Sequence, residues 1–288
     1  MDLELTGRHA VVTGGSRGIG LAIGRALAAE GADVALVART EDVLRRAADE
    51  VARDSGRQVI AVPADTGDDA SVATMVGLVA AQLGGVDILV NAAATPATGA
   101  PFTDDDLEAE INVKVRGYLR CARAVAPLMV ESGWGRIVNI AGLATRQTGN
   151  LVGTVRNVAV AALTKNLADE LGPLGVNVTV VHPGMTRTER TPEAMAAMAQ
   201  SRGVTVEELE RALDAAVSLG RIVTAEEVAA VVTFLASPKS VAINGDPVVA
   251  GGGARGSIHT EKGPEGPSGG GRIRTFEGSA NAFTARPL

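Results

Sequence analysis

The octapeptide Thr13-Gly14-Gly15-Ser16-Arg17-Gly18-Ile19-Gly20 follows a short apolar run and precedes a stretch, 19–30, whose Ile19, Ile23, Ala26 and Leu27 fall on one helical face. A glycine-rich turn between strand and helix lets backbone approach a pyrophosphate with no Cβ in the way. The free N–H groups and positive end of the helix then stabilise the phosphate charge. This predicts a nucleotide site on Gly14, Ser16, Arg17, Gly18, Ile19 and Gly20. About 20 residues on, an NAD site carries Asp or Glu for the ribose 2′-hydroxyl; here the residues are Ala38-Arg39-Thr40. A carboxylate would repel a 2′-phosphate, whereas the Arg39 guanidinium pairs with one and Arg17 adds a second positive charge. The expected cofactor is NADP(H), preferred over NAD.

The segment 13–20 resembles the TGxxxGxG turn of the short-chain dehydrogenase/reductase family. Asn91-Ala92-Ala93-Ala94 is similar to that family's NNAG motif, Pro183-Gly184 with Thr186 and Thr188 to its PG…T segment, residues 163–173 to its main interface helix and Gly251-Gly252-Gly253 to its closing strand. The resemblance covers about residues 5–253. It implies further cofactor contacts from Asp65 and Thr66 at the adenine, from Asn91, Ala92 and Ala93, and from Pro183, Gly184, Thr186 and Thr188 at the nicotinamide end. It also implies a homodimer or homotetramer.

The same resemblance implies a catalytic Asn, Ser, Tyr and Lys, the last two as Tyr-x-x-x-Lys, and most of that set is missing. Hydride addition to a carbonyl builds an alkoxide, and a phenol acidified by a neighbouring ammonium can protonate it. The single tyrosine, Tyr118, is followed four residues later by Ala122. Counting back from 163–173 puts the Tyr position at Gly153 and the Lys position at Asn157. The Ser position falls at Ala141 or Gly142. Only Asn112 matches. Lys165 lies about two turns further along the helix and reads as a surface residue. Asn157 can hydrogen-bond a ribose hydroxyl but carries no charge. Thr145, Arg146, Gln147, Thr148, Thr154 and Arg156 surround the expected carbonyl; arginine stabilises an oxyanion but is a poor proton donor. His182 reads as a packed strand-end residue. The candidate catalytic residues are Asn112, Asn157 and Thr145, and no cysteine or histidine cluster indicates a metal.

Positioning these residues requires an α/β fold. Apolar, β-branched runs at 9–13, 33–38, 58–63, 88–91, 136–140, 177–182 and 247–250 alternate with amphipathic stretches, predicting a Rossmann-type, doubly wound parallel sheet of about seven strands with helices on both faces. The stretch 193–218 is helical in pattern, outside the βα rhythm, and suited to cover a substrate pocket. Residues 1–254 read as one domain, and 255–288, rich in glycine and proline, as a flexible tail.

Bulk properties narrow the function classes. Hydrophobic residues make up 46% and charged ones 21%, the balance of a soluble globular protein rather than a membrane one. A net charge of −6 and only one tryptophan, one tyrosine and four phenylalanines argue against nucleic acid. Cys121, the one cysteine, sits in an apolar helical run and reads as core. No secretory or anchoring segment is evident at the N-terminus, so a cytoplasmic location is expected. The expectation is an atypical NADP-dependent oxidoreductase acting on a small carbonyl or alcohol metabolite, with specificity in 95–104 and 189–218. A non-catalytic NADP(H)-binding sensor or partner subunit, and a lyase or isomerase on the same scaffold, are the alternatives.

Overall fold

A computed structural model describes residues 1–94, 103–146 and 150–255. The strands are β1 (His9–Thr13), β2 (Asp33–Ala38), β3 (Val59–Pro63), β4 (Ile88–Asn91), β5 (Gly135–Ile140), β6 (Val176–Pro183), β7 (Thr186–Arg187), β8 (Val223–Thr224) and β9 (Pro247–Ala250). The helices are α1 (Gly18–Ala29), α2 (Glu41–Ser55), α3 (Asp69–Leu83), α4 (Asp104–Glu110), α5 (Gly117–Glu131), α6 (Leu151–Leu171), α7 (Thr191–Arg202), α8 (Val206–Ala215) and α9 (Ala225–Leu235). Seven strands form one parallel sheet in the order β3-β2-β1-β4-β5-β6-β9, and β7 pairs with β8 apart from it. This is the Rossmann-like architecture expected from the strand runs.

Strand side chains alternate between faces, so each strand feeds two cores. Ala10, Val12, Leu36, Val138 and Val181 pack with α1, α2 and α9 through Ile23, Leu27, Leu44, Val228 and Val232. Val11, Val37, Leu89, Ile137 and Val178 pack on the other face with α3, α5 and α6 through Met75, Val79, Val125, Met129 and Leu167. Cys121 belongs to this second core, and burial pushes its thiol up to about 12. Strand order reverses between β1 and β4, and in an open α/β sheet ligands bind outside the carboxyl ends of the strands at such a point.

The stretch 193–218 resolves into α7 and α8, the latter opened by a capping box between Thr205 and Glu208. Between α4 and α5 the chain makes a π-helical segment, Ile111–Arg116, in which the Gly117 N–H donates to the Asn112 carbonyl. Gly117 is required by close approach, since a Cβ there would lie 2.9 Å from the Thr66 carbonyl oxygen. Arg120 ties the segment to the start of α3, donating to Asp69 at 2.8 Å and to the Asn112 side chain at 2.9 Å. No helix among the described residues is long and apolar enough to cross a membrane. The stretch beyond Arg255, read as a tail, lies outside the described residues, as do 95–102 and 147–149.

Candidate active site

At the switch point the Thr13 hydroxyl accepts hydrogen bonds from the Ala92 and Ala93 N–H groups at 3.1 and 3.3 Å, pinning the end of β1 to the end of β4. Gly14 turns the chain with φ +69°, where a Cβ would stand 2.8 Å from the Ala92 carbonyl oxygen. The turn delivers Gly18 to the start of α1, whose N-cap residue Arg17 makes no side-chain cap and whose first turn holds no acidic residue. The helix thus begins with N–H groups that no cap satisfies, the arrangement that accepts an anion. One of them is engaged by an anion of the chain itself, for the Gly18 N–H donates to the Glu189 carboxylate at 2.9 Å.

A cleft of about 820 Å³ runs from this turn across the ends of β4 and β5 to α6 and β6. It is within the size range of pockets that enclose a cofactor or a drug-sized ligand. The sequence-predicted residues Gly14, Ser16, Arg17, Gly18, Ile19, Gly20, Arg39, Asp65, Thr66, Ala92, Ala93, Pro183, Gly184 and Thr188 all line it. Arg17 and Arg39 are exposed, and neither forms an ion pair among the described residues.

Two residues expected to contact the cofactor lie outside the lining of the cleft. Asn91 is fully buried and does not line the cleft. Its amide donates to Asn139 at 3.0 Å, and Asn139 in turn donates to Thr164 on α6 at 2.9 Å. The chain of amides fastens β4, β5 and α6 below the cleft floor. Thr186 also lies outside the lining, its hydroxyl donating to the Gly184 carbonyl at 3.0 Å.

The catalytic candidates divide similarly. Asn112 does not line the cleft: its amide donates to the Gly67 carbonyl at 3.2 Å and its side-chain oxygen accepts from Arg120, so both ends hold the π-helical segment in place. Thr145 sits in a 3₁₀ turn, Leu143–Arg146, outside the lining, and donates to the Gly142 carbonyl at 3.2 Å. Asn157 does line the cleft, is 4% exposed, and its Oδ1 is a buried acceptor with no hydrogen-bond partner among the described residues. Such an acceptor suits a donor brought by a ligand, such as a ribose hydroxyl. Together with the open α1 N-terminus, it makes the chain's residues fit a nicotinamide dinucleotide.

The remaining candidates have clear places. Asn150 caps α6, its Oδ1 accepting from the Gly153 N–H at 2.9 Å, and a Cβ on Gly153 would lie 2.6 Å from its Nδ2. The Asn150 amide therefore occupies the space where a side chain at 153 would begin. Arg156 lines the cleft and is ion-paired with the buried Glu110. His182 is buried, with Nδ1 3.1 Å from the Gly142 carbonyl oxygen. Lys165 pairs with Asp169 on the exposed side of α6. Gln147 and Thr148 lie outside the described residues. Tyr118 is buried away from the cleft, donating to the Ile140 carbonyl at 3.0 Å, and loss of solvent pushes its phenol well above the ordinary range.

One cleft residue was not singled out by the sequence. Lys114, in the π-helical segment, lines the cleft at 4% exposure and donates to the Ala141 carbonyl, just past β5, at 3.1 Å. Burial pushes its ammonium down to about 7; the Arg156 charge acts in the same direction and the Glu110 carboxylate opposes. A spacing signal was present, because Lys114 stands four residues before Tyr118, the reverse of the order sought.

Known proteins bear on this arrangement. Over 247 residues the chain is 34% identical to the short-chain reductase protein NovJ of Streptomyces niveus, spanning 85% of this chain and 92% of that one. The crystal structure of L-sorbose reductase from Gluconobacter frateurii, complexed with NADPH and L-sorbose, superposes with a TM-score of 0.84 at 28% identity, covering 90% of this chain and all (100%) of that one. An NAD⁺-bound xylitol dehydrogenase superposes with a TM-score of 0.82 at 26% identity, covering 87% and 100%. The family described as short chain dehydrogenase matches residues 8–199. That match begins one residue before β1 and ends within α7, so it takes in the phosphate cradle and the β5–α6 wall alike, and the chain belongs to the short chain dehydrogenase family.

Proposed function

We propose that this chain is an NADP(H)-dependent oxidoreductase that interconverts a carbonyl and an alcohol on a small metabolite without a Tyr-x-x-x-Lys pair. The observation that carries the reading is the continuity of the cleft, which joins the uncapped α1 N-terminus and the unpaired Arg17 and Arg39 at one end to Lys114, Asn157 and Gly184 at the other. In this reading the α1 N–H groups hold the pyrophosphate, Arg39 and Arg17 hold a 2′-phosphate, and Asn157 Oδ1 accepts from the nicotinamide ribose. A bound nicotinamide supplies the hydride. NADPH in the L-sorbose reductase structure and the reductase name of NovJ support the cofactor and the direction. Arg39, which stands where an NAD site would carry a carboxylate, supports the preference for NADP(H).

Titration with NADPH and NADH, followed by absorbance of the bound reduced cofactor across a panel of ketones and aldehydes, tests the reading. Binding of NADPH with oxidation by at least one carbonyl is expected. Tight binding with no oxidation would favour the sensor reading, which the missing Tyr and Lys also support. A homodimer or homotetramer is part of the proposal, since Leu151, Val155 and Val158 expose apolar side chains on one side of α6.

A further inference from the structure

Lys114 is the only lysine among the described residues that line the cleft. It enters not from α6 but from the π-helical segment packed beside it, an element that is rare and concentrated at functional sites. The segment is held against the β3–α3 loop and the start of α3, by Asn112 on the Gly67 carbonyl, by the close approach of Gly117 to Thr66 and by Arg120, which bonds both Asp69 and Asn112. The ammonium therefore has a fixed root and reaches the end of β5, where it meets the Ala141 carbonyl.

The charges around it are few and already committed. From α4, Glu110 turns its carboxylate to Arg156, which comes from α6. Tyr118, one turn beyond Lys114 at the start of α5, donates its hydroxyl to the Ile140 carbonyl. Residues Ala141 and Gly142 after β5 carry no charge. Lys114 itself forms no ion pair among the described residues. A buried ammonium without a counter-ion is costly, and it releases its proton near neutral pH, as a general acid must. A merely structural bond to one carbonyl would be served by an amide at far lower desolvation cost.

We propose that Lys114 Nζ is the proton donor to the substrate carbonyl oxygen, replacing from the α4–α5 wall the acid absent from α6. The proposal rests on the oxidoreductase reading above. As hydride from the bound nicotinamide forms the new C–H bond, the C=O π pair moves to oxygen and the Nζ–H bond breaks to form O–H. The carbonyl is reduced, the cofactor is oxidised, and the neutral amine takes its proton back from water.

The chain has four lysines, Lys114, Lys165, Lys239 and Lys262, so lysine side-chain NMR of isotope-labelled protein is tractable. One resonance is expected to titrate near neutral pH and to be missing from Lys114→Met. Reduction should slow as pH rises through that same midpoint. Lys114→Met and Lys114→Arg should both bind NADPH as the parent does while kcat falls about 10²–10⁴-fold, the arginine keeping charge and length without a transferable proton. Small primary ammonium ions should partly restore the rate of Lys114→Ala. If the parent oxidises NADPH with a carbonyl and the Met and Arg variants are as fast, the Lys114 assignment falls and the oxidoreductase reading stands. If the parent binds NADPH but reduces nothing, the oxidoreductase reading falls and the proton-donor role with it. A borohydride-trapped adduct of substrate on Lys114 would make it a nucleophile and overturn the assignment.

Discussion

Replacing Arg39 by Asp reverses the charge at the mouth of the cleft where a 2′-phosphate would rest. A charge-assisted hydrogen bond contributes about 1.5–3 kcal/mol, so Arg39→Asp should weaken NADPH binding roughly 10- to 100-fold and leave NADH binding little changed, as calorimetric titration would read. Equal losses for both cofactors would point away from the 2′-phosphate. Lys114 also writes itself into stability. Its pKa falls from 10.5 in the unfolded chain to about 7 in the fold. Between those values the unfolded state binds more protons, so folding gains as pH rises, and the burial penalty is complete once pH falls below about 7. Lys114→Met removes that dependence. Its stability advantage over the parent should shrink between pH 7 and 8.5 by up to about 1.4 kcal/mol per pH unit, measured by urea unfolding at each pH. The Lys114–Tyr118 spacing alone could not place Lys114 in the cleft, because the face a side chain takes in a π-helical turn does not follow the 3.6-residue period.

At the scale of the element, α1 and α6 carry the site. The α1 N-terminus already engages an anionic oxygen from Glu189, which competes with a phosphate for the same positive end. Removing that charge with Glu189→Gln should tighten NADPH binding by about 0.3–1 kcal/mol, roughly two- to fivefold, in a fluorescence titration. Weaker binding would mean that Glu189 contacts the cofactor favourably. On α6, the position that the family resemblance matches to a tyrosine is Gly153, and its surroundings are built for a glycine. Asn150 supplies the helix cap from the space next to Gly153, so a tyrosine at 153 must displace that cap. A cap of this kind contributes about 0.5–2 kcal/mol. Asn157 was legible because the helix reads without gaps from 163–173 back to 153. Asn112 was singled out only by resemblance to a family motif, and its side chain is spent on Gly67 and Arg120, which no spacing rule reveals.

For the whole molecule, the proposed assembly rests on α6. The inner side of α6 buries Gly153, Asn157, Val160 and Thr164, while Leu151, Val155 and Val158 are 55%, 43% and 47% exposed on the other. This apolar strip is where the proposed subunit contact would form. Light scattering should find a dimer or tetramer for the parent and a monomer for Val155→Lys with Val158→Lys; a monomeric parent would end the assembly proposal. By itself the sequence determined the sheet, the order of its helices and the phosphate turn. These are local matters, set by β-branched runs, by the 3.6-residue period and by glycines adjacent in the chain. The tertiary structure alone decided which polar groups face the cleft. Asn91 turned inward to Asn139, Asn112 was taken up by Arg120, and Lys114 was brought to the end of β5. Partners 8 to 48 residues apart made those choices, through burial and hydrogen bonds that exist only once the strands and helices are packed.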